Sequence, residues 1–259
     1  MKKTSLRIIS FLIVICTVAG LVSCGKKPET PLEDDITRQT SKSQTQPIQI
    51  VEIPTEKEDL ADMFNASLEY VELYCYRYSK KTVCTVNSLN VGALSSVSNA
   101  NDAFRSIFGK KDITYDYDYN TSRDAFKANF PESGYSENDI QSIAAEQKDN
   151  DIVITAKFAG ESNPTADKGL LHKLTADFVS ADDVKKSLTE FNSSAQSVSV
   201  SASDITVKAT ISTQDSSLKT LQISFTQRYA LSGVTLVKME GSSVSATSST
   251  VITYTGIGI

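Results

Sequence analysis

The spacing of hydrophobic positions divides the chain into four stretches. Ile8 to Val22 is an uncharged, apolar block, and Gly25 to about Pro54 is polar, with four prolines and no aromatic residue. From Glu56 to Lys80, Leu60, Met63, Phe64, Leu68, Val71 and Tyr74 or Cys75 recur at helical spacing, which predicts a principal helix. Helices and strands then mix. Lys80–Gly92 is β-branched and predicts a strand ended by Gly92. Leu94, Val97, Phe104, Ile107 and Phe108 share a helical face that stops at Gly109. Asp112–Asn120 alternates, Thr121–Pro131 predicts a short helix closed by Pro131, and Ser136–Gln147 predicts a helix opened by a Ser136 to Asp139 capping pattern. Asn150–Glu161 returns to a strand, and Ser180 caps a helix with Val184, Leu188 and Phe191 facing inward.

From about Ser194 the period becomes two. Val198, Val200 and Ala202 fall on even positions, and Ile205, Val207, Ala209 and Ile211 on odd ones, so a bulge or turn is required near Ser203 and Asp204. Leu221, Ile223, Phe225 and Tyr229 continue the alternation after a turn at Ser212–Ser217, with two further strands around Ser232–Glu240 and Val244–Thr255. The opposite positions are Ser, Thr, Lys and Gln, which predicts a wet sheet face. This order predicts an α+β fold, with helices packed on one side of a curved antiparallel sheet that ends in a C-terminal β-meander.

The first stretch changes the picture most. Lys2, Lys3 and Arg7 precede the apolar block, which is short of the roughly 20 residues a spanning helix needs. The order of basic start, apolar core and Leu21-Val22-Ser23-Cys24 resembles the lipobox of bacterial lipoproteins. That resemblance implies a diacylglyceryl group on the Cys24 thiol and cleavage before Cys24; Cys16, preceded by the bulky Ile15, does not fit. Because one acyl chain holds a protein only marginally and two hold it firmly, Cys24 is expected to be a membrane anchor. The chain then divides into a signal peptide (1–23), a flexible tether (24–54) and a single α+β domain (55–259). Random-coil scaling places the domain about 30 Å from the bilayer.

Two weaker resemblances cover the domain. The segments "MFNASLEYV", "FPESG" and "ITVKATISTQDSSLKTLQISF" resemble those of uncharacterised lipoproteins of Gram-positive bacteria. The expected order of elements is also similar to the half-barrel of lipoprotein-carrier (LolA-like) domains, which implies an apolar ligand between helix and sheet, a fold-level analogy only.

Charge and candidate chemistry narrow the function classes. Loss of residues 1–23 removes Lys2, Lys3 and Arg7 and no acid, which leaves 23 basic and 31 acidic side chains, a net of about −8. Such a domain is repelled by phosphate backbones, so no nucleic acid partner is expected. His172 is the lone histidine, which excludes a site built on two histidines. Ser216–Lys219 matches S-x-x-K without the other motifs of penicillin-recognising enzymes. Asp116, Asp118 and Asn120 have the opening spacing of a calcium loop, but Thr121 and Lys127 stand where glycine and glutamate are needed. A strand with Tyr115, Tyr117 and Tyr119 on one face and acids on the other explains the segment better. Tyr70, Tyr74, Tyr76 and Tyr78 suit either ligand contact or a helix–sheet boundary. Cys75 and Cys84 allow a disulfide outside the cytoplasm or two buried thiols.

The expectation is therefore a membrane-anchored, extracytoplasmic, non-enzymatic protein without cofactor or metal, which binds an apolar small molecule or an envelope protein. The alternative is a structural or adhesion module without a pocket. The oligomeric state stays open. An apolar cavity of roughly 300 Å³ or more between the principal helix and the late strands separates the two.

Overall fold

The computed structural model describes residues 51–109, 111–236 and 239–258. The apolar block, Cys24 and most of the tether lie outside them. Among the described residues, five α-helices and nine strands make an α+β fold in which every strand pair is antiparallel.

Helix α1 (Lys57–Tyr74) carries Glu58 and Asp59 in its first turn, where the helix dipole favours acids. It buries Leu60, Ala61, Phe64, Leu68 and Val71 and ends where Cys75 turns extended, with ψ 146°. Strand β1 (Arg77–Asn90) follows almost at once. A 3₁₀ turn (Gly92–Ser96) and helix α2 (Ala100–Ile107) occupy the segment expected to form one helical face. Asn99 divides them: it adopts the left-handed region, φ 63°, which no helix continues through. Strand β2 (Lys111–Asp118) and helix α3 (Arg123–Ala128) match the predicted alternation and the predicted short helix.

The helix expected over 136–147 is a strand. Ser136 and Asp139 do form the predicted reciprocal bonds, 2.8 Å from Ser136 N and 3.3 Å from Asp139 N. They close a turn, and the chain then enters β3 (Ile140–Lys148), which pairs along its length with β4 (Asp151–Phe158). Half-buried Ile143, Ala145 and Gln147 alternate with exposed Ser142, Ala144 and Glu146. Pairing with a β-branched neighbour overrides the helix propensity of Ala144–Gln147. The Ser136 bonds hold the Asp139 carboxyl below its ordinary value. Bonds from Ser217 and Ser212 do the same for Asp215, against the upward push of its partial burial. A depressed folded-state pKa means that the unfolded chain binds more protons. The stability from these two acids is therefore present above about pH 4 and lost as pH falls through the lowered values. Urea unfolding between pH 6 and pH 2.5 checks this: Asp139→Asn lowers stability at pH 6 and flattens its loss on acidification.

Strands β5 (Glu161–Ser162) and β6 (Ser193–Ser194) are short, and helices α4 (Leu170–Leu174) and α5 (Ala181–Glu190) lie between them. Three long strands finish the chain: β7 (Ser197–Ser212), β8 (Leu218–Leu236) and β9 (Met239–Gly258). Among the described residues the strand order is β2-β1-β9-β8-β7-β4-β3, with β5 on β7 and β6 on β8, so β2 and β3 are its ends and the sheet does not close into a barrel. The parity change in β7 is where the pattern requires it: the register with β8 shifts between Ser203 and Thr206, and Asp204 takes φ 56°. The segment around Ser232–Leu236 is no separate strand. It continues β8 past a further register shift between Leu231 and Val234.

The long strands pass through two apolar clusters. The larger gathers Phe64, Leu68 and Val71 of α1 with Ile154, Val207, Ile223 and Ile252 of the sheet. The smaller gathers Phe104 and Phe108 with Val184, Leu188, Val200 and Val244. Phe191, expected inside, is 44 % exposed. On the opposite face, Ser199, Ser201, Thr226, Arg228 and Ser245 are half-buried or exposed, in line with the wet face expected.

Candidate cleft and polar seam

Between the two apolar clusters, the helix-side face of the sheet turns polar. Lys80, Thr82, Gln227, Ser248 and Thr250 are all buried there. In β1, Lys80 and Thr82 follow Tyr78 at a period of two, so the strand geometry itself turns a lysine inward. Its charge is met by Asp177: Lys80 Nζ lies 3.0 Å from Asp177 Oδ2, and Thr82 Oγ1 donates to the same oxygen. Asn129 Oδ1 stands 3.5 Å from the ammonium, and the Tyr254 ring 5.9 Å. Burial pushes the phenols of Tyr254, Tyr78 and Tyr229 well up, so they stay protonated.

Asp177 belongs to a strap, Thr175–Ser180, that links α4 to α5. Gln227 holds the strap as a neighbouring strand would. Val179 N donates to Gln227 Oε1 at 3.1 Å, and Gln227 Nε2 donates to Val179 O at 2.9 Å. Tyr229 in turn donates to Gln227 Oε1, at 3.1 Å, and its hydroxyl lies 3.2 Å from Ser248 Oγ. The strap ends in a capping box, in which Asp183 N donates to Ser180 Oγ and Ser180 N to Asp183 Oδ2, so α5 begins at a fixed point. Gln227→Ala leaves the Val179 amide and carbonyl unpaired behind the strap. The expected loss is about 2–3 kcal/mol of unfolding free energy, read from urea midpoints.

Outside the strap is a half-open cleft of about 400 Å³. Ile107 and Gly109 at the end of α2 form one wall, Phe178 and Val179 of the strap another, and Asp183 and Ser187 of α5 a third. His172 also lines it. Among the described residues no hydrogen bond joins His172 to a serine or to Asp183, whose Oδ2 serves the capping box. The cleft therefore offers a mixed apolar and polar surface and no assembled nucleophile–base pair.

Between the principal helix and the late strands, where an apolar cavity would favour a carrier, lies an apolar cluster in which Phe64 and Val71 are fully buried together with Ile154, Val207, Leu221 and Tyr254. The clustered tyrosines separate. Tyr78 is buried and donates to Phe126 O at 2.7 Å, whereas Tyr74 and Tyr76 are exposed. Cys75 and Cys84 are both free and buried. Seven residues of extended β1, about 23 Å at 3.3 Å each, separate Arg77 from Cys84, far beyond the roughly 7 Å that a disulfide spans. Ser216 lies in the turn before β8, and Lys219 pairs with Asp151. Asp116 and Asp118 stand on the open face of β2, and among the described residues no group of three or more His, Cys, Asp or Glu could hold a metal. Cys24 is outside the described residues.

Sequence reading missed Lys80, Asp177 and Gln227. A signal for Lys80 existed, since it shares the parity of Tyr78, Thr82 and Cys84. Nothing local marks Asp177 or Gln227. Comparison with protein families, with curated proteins and with solved structures finds no match.

Proposed function

We propose that this chain is a lipoprotein anchored through Cys24, whose extracytoplasmic domain, helices on a curved sheet with a terminal meander, binds an envelope protein without catalysing a reaction. The anchor rests on the lipobox-like Leu21-Val22-Ser23-Cys24 at the end of an apolar run. The binding role rests on one observation: Ile113 and Tyr115 are 37 % and 57 % exposed on the end strand β2. Bulky apolar side chains on an edge strand are a surface for a partner. The buried apolar cluster behind α1 favours this over an enclosed apolar ligand, and among the described residues no hydrogen bond joins His172 in the cleft to a serine or to Asp183.

Two experiments test the reading. Cys24→Ala in the full chain is expected to abolish acylation and release the protein from sedimenting membranes; an acylated or still firmly bound variant overturns the anchor. A photo-cross-linking residue in place of Tyr115 is expected to capture envelope proteins, with the same residue at exposed Lys186 as control. Capture no greater than at position 186 overturns the binding role. It leaves the alternative, an adhesion or structural module that uses its hydroxyl-rich sheet face.

A further inference from the structure

We propose that the outer edge of β2 accepts an extended basic segment of the partner protein as a tenth strand of the sheet. This rests on the partner-binding reading and names the chemistry of that partner.

Among the described residues, strand β2 ends the sheet and pairs with β1 alone. The amide of Tyr119 donates to Tyr76 O at 2.7 Å, which sets the phase of the ladder. In an antiparallel pair the N–H and C=O of one residue point the same way, and successive residues alternate. Ile113, Tyr115 and Tyr117 therefore turn their backbone groups to β1. Those of Asp112, Thr114 and Asp116 turn away from the sheet, a row of donors and acceptors over a strand about 26 Å long.

The two faces of this edge differ in chemistry. Asp112, Asp116 and Asp118 lie on the open face with Val83, Ser79 and Arg77 of β1, while Ile113 and Tyr115 lie on the helix side with Thr82 and Lys80. Lys81 already pairs with Asp112 at 3.2 Å, and Ser79 donates to Asp116, so Asp116 and Asp118 are the carboxylates left for a partner's cations. The cleft walls Ile107 and Gly109 stand just before the strand in sequence. Pairing with a second copy would set acids beside acids, and like charges on paired strands repel. Charged edges prevent self-association in this way. The same row attracts a strand that alternates Lys or Arg with apolar residues, whose cations meet the aspartates and whose apolar side chains cover Ile113 and Tyr115.

The test uses the full chain in detergent micelles and a dye-labelled, acetylated and amidated ten-residue peptide of alternating Lys and Val. Fluorescence anisotropy is expected to show saturable binding, at least about tenfold weaker for the Glu–Val peptide and for the combined Asp116→Asn, Asp118→Asn variant. Thr114→Pro removes an outward amide without touching the bonds to β1. It is expected to weaken binding at least about tenfold, whereas Thr114→Val leaves it within about twofold. Hydrogen exchange gives a second readout without substitution: the amides of Thr114 and Asp116 become protected when the peptide binds. Binding that survives Thr114→Pro in a folded variant, amides that exchange as fast with peptide as without, or no saturation up to about 1 mM overturns strand addition. Failed peptide binding beside intact cross-links from position 115 removes this inference alone. Cross-links absent beside intact peptide binding remove the partner reading instead.

Discussion

Phe64→Ala is expected to lower the unfolding free energy by about 3–5 kcal/mol, the cost of deleting a fully enclosed aromatic ring whose surroundings relax only in part. Phe64 is fully buried, with the Tyr135 and Phe158 ring centroids 5.9 and 6.4 Å away. With Leu68 and Val71, it packs α1 into the apolar cluster that includes the sheet residues. Urea unfolding followed by circular dichroism reads the loss; a change below about 1 kcal/mol means that α1 is not packed as described. Tyr135→Phe is the matched control. The Tyr135 hydroxyl is buried and has no hydrogen-bond partner among the described residues, so its removal is expected to be neutral or stabilising.

Asp177→Ala is the second large effect, about 2–3 kcal/mol. Removing the carboxylate leaves the Lys80 ammonium uncompensated at 2 % exposure, and breaking a buried pair from one side is costly. The figure is set below that of a fully enclosed pair because Asp177 is 28 % exposed and partly screened. Lys80→Met is expected to cost far less, or to stabilise, since it removes the buried charge while keeping the volume and leaves Asp177 with Thr82 and water. The order of the two variants is the decisive outcome: if Lys80→Met is the more damaging, Lys80 matters for more than the neutralisation of its own charge.

The Asp177 effect bears on function through the strap. Asp177 and Val179 fix its position from the sheet side, and Phe178 and Val179 form a wall of the cleft beside β2. Variants that free the strap should alter the cleft before they unfold the domain.

The residues themselves determined the α+β class, the principal helix over Leu60 to Val71, the capped helix from Ser180 and the bulge near Asp204. Each of these rests on a local period or a cap, and period and capping are properties of a few consecutive side chains. The lipobox-like run ending at Cys24 is legible for the same reason. Tertiary structure alone decided that Ser136–Gln147 is a strand, because pairing with β4 outweighs a local propensity for helix. It alone brought Lys80 to Asp177, 97 residues on, and Gln227 to Val179, and it alone left β2 at the edge of the sheet. Such partners meet only when strands distant in sequence are set side by side, and no spacing within either segment encodes the other.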